Sequence, residues 1–248
     1  MHPVRRLAAL LVYLLLLPAG YVAISYIVAP RAWSLFEHRH PALSAVATRA
    51  VTASGIPGDP LNVAFVGDET ALHRALLSAG WSPADPVTMR SSLRIAAAAM
   101  LHRPYEDAPV SALFVWNRIQ DFAFEEQAGA DPRQRHHVRF WRSTELDDQG
   151  RPLWIGAATF DTRVGFSHTT GQITHHIGAA IDAERDKLVS EVGGEPGIVT
   201  SWLDGFQPVR TGRNGGGDVF STDGRLAILT APAAAAPEVR HAPENVAH

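Results

Sequence analysis

Apolar and polar positions divide the chain into three regimes. Leu7 to Ala29 carries no charged residue. At about 1.5 Å per residue, a helix of that length crosses the roughly 30 Å hydrocarbon core of a bilayer. From Leu61 onward, short apolar runs alternate with polar breaks. Beyond residue 230 alanine and proline dominate without a period, which predicts a disordered tail over 231–248.

Within the middle regime, Leu61 to Val66 reads as a buried strand ending at Gly67. Asp68 is a helix N-cap. Ala71, Leu72, Ala75, Leu76 and Ala79 recur at helical spacing, and Gly80 stops the helix. Residues 81–86 read as a turn. Thr88 caps a second helix carrying Leu93, Ile95, Ala96 and Met100, which Pro104 ends. From Ser111 the period becomes that of strands: 113–117, 122–125, 137–142 and, after a turn at 147–150, 153–160. A third helix spans Ala179 to Val192, and short strands follow at 198–202, 218–221 and 225–229. Short strands separated by polar turns predict an α+β fold, a mainly antiparallel sheet covered by two or three helices and preceded by one transmembrane helix. The expected organisation is a tail at 1–6, an anchor at 7–29, a connector at 30–57, a folded domain at 58–230 and the tail at 231–248.

A cleaved signal peptide is the other reading of the first stretch. Its apolar region should be about 7–15 residues long and followed by a small-x-small site. This run is longer, and past Ala23 it continues from Ile24 to Val28. Arg5 and Arg6 precede it, and Arg31, Arg39 and Arg49, diluted by Glu37, follow it. A short tail with two arginines stays inside, so the bulk of the chain is expected outside the cytoplasm, held at the bacterial inner membrane by a single span. The bilayer is then one partner, through residues 7–29, and a membrane protein is a further candidate.

Composition narrows the chemistry. The net charge of −3 argues against a nucleic-acid binder. The absence of cysteine excludes disulfides, thiolate metal sites and a cysteine nucleophile. Lys187 is the only lysine, on a helix surface, which disfavours Schiff-base and phosphate-loop chemistry. No Gly-x-Ser-x-Gly elbow is present.

Twelve histidines are the compositional oddity, and four form two adjacent pairs, His136-His137 and His175-His176. On a strand, adjacent side chains point to opposite faces. His136, Val138 and Phe140 therefore share one face, and His137, Arg139 and Trp141 the other. The second pair, placed just before a helix, is less constrained. His137, His175 and His176 with Asp182 make a candidate divalent-metal set, zinc above all. No cofactor is established by the spacing, and structural histidines are the simpler account. Over the stretch Ile177 to Val192, at helical spacing, Ile177, Ile181, Leu188 and Val192 form an apolar stripe with Glu184 in its middle. A core-facing carboxylate requires a partner. Arg139 or His137 is expected in that role, giving His137, Arg139 and Glu184 as candidate catalytic residues beside a structural ion pair as the alternative. Trp141 and Trp154 are candidates for a hydrophobic ligand groove.

Several segments together resemble the LssY C-terminal domain family: His136-His-Val-Arg-Phe-Trp141, Leu153-Trp-Ile-Gly156, Thr174-His-His-Ile177, Asp182-Ala-Glu-Arg-Asp186, Gly217-Asp218 and Thr222-Asp-Gly224, with Gly80-Trp81 before them. The resemblance covers roughly residues 58–230. It implies a bacterial membrane-associated protein of no established activity, with a family name taken from a type I secretion locus. Members often carry the domain after multi-spanning regions, some like phosphatidic-acid phosphatases, and no such catalytic region lies in this sequence. Where the family pattern favours Asp after the second histidine pair, this chain has Gly178. The resemblance supplies no catalytic residues. Two functions follow as expectations: an envelope-lipid-linked or secretion-linked ligand-binding or accessory module, and a metal-dependent hydrolase using the paired histidines and a helix carboxylate.

Overall fold

A computed structural model describes residues 16–29, 31–32, 48–53, 55–84, 112–129 and 134–233. Strands β1 (Arg49–Val51), β2 (Pro57–Pro60) and β3 (Val63–Val66) precede helix α1 (Glu69–Ser78). Strands β4 (Ser82–Pro83), β5 (Phe114–Val115), β6 (Arg118–Ile119), β7 (Phe122–Gln127), β8 (Arg135–Leu146), β9 (Pro152–Phe166) and β10 (Ile173–Ile177) lead to helix α2 (Ile181–Val192). Strands β11 (Val199–Leu203), β12 (Thr211–Arg213), β13 (Val219–Ser221) and β14 (Leu226–Thr230) complete the order.

The main sheet runs β11-β14-β3-β9-β8-β7-β4, with β10 added to β9. Its pairings are antiparallel except β14 with β3. A smaller sheet runs β2-β1-β5-β6, and β12 and β13 form a ribbon. The fold is thus α+β with mainly antiparallel sheets.

Local sequence explains these elements. Asp68 caps α1 by accepting from the Ala71 amide at 2.7 Å. Gly80, at a φ of +91°, ends the turn that follows. All of β3 is buried, because both faces of the main sheet are covered. On one face Leu72, Leu76, Leu188 and Val192 of the helices meet Phe65, Phe140 and Trp154. On the other face Ala50 and Val115 of the small sheet, with Leu113 just before β5, meet Ala64, Trp141 and Ile155. At roughly 25 cal/mol per Å² of apolar area, side chains of this size are a main stabilising contribution of both layers. Gly156 lets β8 and β9 close: a Cβ there would stand 2.8 Å from the Phe140 ring.

Several expectations change. Residues 30–57, expected as a connector, supply β1 and the first residue of β2, because β1 finds partners in β2 and β5. Residues 81–86, expected as a turn, include β4, paired with Phe124 and Glu125. The strand expected over 113–117 breaks at Trp116 and Asn117, whose positive φ values of 52° and 59° make a tight hairpin into β6. The second expected helix lies outside the described residues. Ala231 is buried and its amide donates to the Val66 carbonyl at 2.9 Å, so the expected tail starts in the sheet.

The chain is helical from Leu16 to Ala29, with a π-helical turn at Ile24–Val28. Among the described residues no helix is long and apolar enough to cross a membrane. The described length reaches roughly 21 Å, short of the bilayer core. Residues 7–15 of the expected anchor lie outside the described residues.

Candidate functional site

The alternation of β8 separates two polar clusters. Arg135, His137 and Arg139 face the small sheet, and His136, Val138 and Phe140 face the helices. On β9, Asp161 lies opposite Arg135 and Thr159 opposite His137, extending the polar stripe. β10 continues it: Asp161 Oδ2 lies 2.8 Å from His175 Nδ1. Asp59, carried by β2, accepts from Arg139 Nη1 at 2.7 Å. Arg135 donates to Glu125 at 2.8 Å.

A cleft of about 270 Å³ opens beside this stripe. Its lining includes Asp59, Arg139, Asp161, His175, Asn214 and Tyr26. With His175 Nδ1 held by Asp161, Nε2 is the ring nitrogen left for a ligand. Carboxylates accept, the guanidinium donates and the Asn214 amide does both, so the cleft suits a ligand bound by many hydrogen bonds.

Burial and charge act against each other here. Burial pushes Asp161 up, but the charge and hydrogen bond of His175, with the charge of Arg139, outweigh it and hold the carboxyl at about 2. Burial pushes Asp59 up and Arg139 opposes it, while Asp161 and Asp218 add to the rise. His137, 1% exposed, lies well below the ordinary imidazole range, first through burial and then through Arg139. It is therefore a neutral imidazole.

The structure brings together only part of the sequence-derived set. His137, Arg139 and His175 belong to the stripe. His176 does not: its Nδ1 lies 2.6 Å from Asp218 Oδ1, and Asp218 Oδ2 accepts from the cleft residue Asn214, so His176 stands behind the lining rather than in it. The second histidine pair is in a strand rather than in a flexible approach to a helix, so its rings diverge. Asp182 is remote from both pairs, accepting from Thr222 Oγ1 at 2.8 Å and Arg185 Nη1 at 3.2 Å. Among the described residues no three His, Asp or Glu side chains are grouped as a metal-ligand set.

Glu184 does meet a histidine across the sheet, but it is His136, with both carboxylate oxygens 2.9 Å from Nδ1. His137 and Arg139 point the other way, because α2 covers the opposite face of β8. Burial pushes Glu184 up and His136 opposes the rise. Trp141 and Trp154 share no groove either. Trp141 pairs with Ile155, one residue from Trp154, so the two rings fall on opposite faces. Both are buried in separate cores, and Trp154 Nε1 donates to the Gly67 carbonyl at 3.0 Å.

Asp59, Asp161 and Asn214 were absent from the sequence-derived set. Asp161 follows directly on the strand expected over 153–160, and continuing the alternation of Ala157 and Thr159 by one step would have found it. Asp59 is the only charged residue between Pro57 and Pro60, yet nothing local ties it to an arginine 80 positions away. Asn214, in a glycine-rich connection, carries no local signal.

The sequence matches the pattern of the family described as LssY C-terminus over residues 43–226. No curated protein and no solved structure matches. The matched region takes in β1 through the start of β14, including every strand that lines the cleft, and so the chain belongs to the LssY C-terminus family.

Proposed function

We propose that this protein is an envelope binding module whose cleft takes the polar end of a membrane component. Residues 7–29 hold it in the bacterial inner membrane as a single span, and the folded region lies outside the cytoplasm. The observation that carries this reading is the position of the apolar helix at the rim of the cleft. Tyr26 lines the cleft. The Tyr21 hydroxyl donates to the Gly171 carbonyl, and Gln172 Nε2 donates to the Ser25 carbonyl at 2.7 Å. The same helix exposes Leu16, Leu17, Val22, Ile24, Ile27 and Val28, an apolar surface suited to lipid. The cleft therefore adjoins the segment that meets lipid.

The test uses the full chain extracted with its native lipids, washed in detergent and analysed by mass spectrometry for what it retains. A retained lipid is expected in the wild type and lost in Asp161→Asn and Tyr26→Ala. Recovery of the chain in the soluble fraction, or a lipid content unchanged by both substitutions, overturns the reading.

A further inference from the structure

The charges of the cleft are already paired with one another. Arg139 is held by Asp59 at 2.7 Å and His175 by Asp161 at 2.8 Å. An ionic ligand would have to displace one member of a buried pair and strand the other, which is strongly unfavourable. Neutral hydrogen bonding carries no such cost, because carboxylate oxygens and guanidinium nitrogens can serve more than one partner.

A second observation lies on the same sheet face. Arg139, which lines the cleft, has its Nε buried without a hydrogen-bond partner; His137 Nδ1 and Nε2 and Thr159 Oγ1, likewise unpartnered, lie behind it outside the lining. Buried polar groups are nearly always satisfied, so the Arg139 Nε–H calls for an acceptor. Beside the Arg139 and Asn214 donors the cleft presents the carboxylate acceptors of Asp59 and Asp161. An anion satisfies donors alone, and an ammonium satisfies acceptors alone. A hydroxyl group satisfies both.

We infer that the cleft binds a neutral polyhydroxylated group: a single sugar ring, or a smaller polyol such as inositol or glycerol. This rests on the binding-module reading and names the ligand class within it. The volume agrees, since about 270 Å³ lies just below the roughly 300–1,000 Å³ of drug-sized sites. That is room for one ring rather than a chain of them. Asp59 and Asp161 accept from ligand hydroxyls, Arg139 and Asn214 donate to ligand oxygens, and His175 Nε2 faces either kind. Tyr26 is part of the lining.

The test uses the full chain in a polyoxyethylene detergent, which carries no sugar. Saturation-transfer NMR is recorded with methyl glucoside, myo-inositol and glycerol, against inorganic phosphate and ethanolamine as charged comparators. Flotation with phosphatidylcholine vesicles, with and without a monoglycosyl diacylglycerol, separates a lipid-borne sugar from a free one. The expected result is binding of at least one neutral polyol, free or lipid-borne, and of neither charged probe. Asp161→Asn weakens it about tenfold, the usual effect of losing a hydrogen bond to a charged group. Tyr26→Phe, which removes only a hydroxyl from the cleft lining and leaves the ring in place, weakens it as well. Preference for phosphate or ethanolamine overturns the polyol class and leaves the binding reading standing. Retained lipid in the extraction experiment without polyol binding does the same. Failure of all probes together with no retained lipid overturns both.

Discussion

Replacing Asp161 by asparagine keeps the shape of the side chain and removes its charge. In the folded chain Asp161 is buried, 2.8 Å from His175 Nδ1, and its carboxyl is held at about 2 against an ordinary 3.8. That difference corresponds to about 2 kcal/mol of stability, at roughly 1.4 kcal/mol for each tenfold change in proton affinity. The sign follows from linkage. The unfolded chain takes up this proton first as pH falls, so the contribution is complete above 3.8 and disappears through about 2. About 1 kcal/mol of it is already lost at roughly pH 3. Denaturant unfolding of wild type and Asp161→Asn, followed by tryptophan fluorescence, should show a gap of about 2 kcal/mol at neutral pH. The gap should narrow by about 1 kcal/mol near pH 3. Carboxylates that do not feel Asp161 titrate alike in both proteins and cancel in the difference, while Asp59, which Asp161 raises, opposes part of the narrowing. An Asn variant as stable as the wild type at neutral pH, or a gap that stays constant between the two conditions, would refute the assignment of Asp161 as an ionised member of the buried pair.

Further substitutions test the other parts of the structure. Glu184→Ala should cost about 1.5–3 kcal/mol in denaturant unfolding by stranding His136, while ligand binding in the cleft, on the far side of the sheet, stays unchanged; lost binding in a folded variant would contradict this separation. Gly156→Ala places a Cβ 2.9 Å from the Arg139 carbonyl oxygen and should lower stability by about 1–3 kcal/mol, whereas an unshifted thermal midpoint would show that β8 and β9 do not close as described. Asp68→Ala removes the α1 cap and should cost about 1 kcal/mol, readable as a lower denaturation midpoint. His137 stays neutral when folded, so the unfolded chain binds that proton first below about pH 6.5 and stability falls from there toward the lower folded value. His137→Gln should flatten this slope in midpoint scans against pH, and an unchanged slope would place the acid sensitivity elsewhere.

Much of the fold was written in local patterns. The buried run before Gly67, the Asp68 cap, the periodic faces of α1 and α2 and the alternation of β7, β8 and β9 depend on residues a few positions apart, so the sequence alone determined them. It also determined that His136 and His137 diverge, since adjacent strand residues do. The family was legible because its short segments keep their order along the chain. Which side each face meets was decided only by tertiary structure, because strand order and the placement of α2 join residues far apart. That placement gave Glu184 to His136 rather than to His137 or Arg139. The β8–β9 register put Trp141 and Trp154 on opposite faces, and the pairing of β10 with β9 separated His175 from His176. Long-range closure brought Asp59 to Arg139 and Asp161 to His175, making a cleft from residues that no local spacing connects.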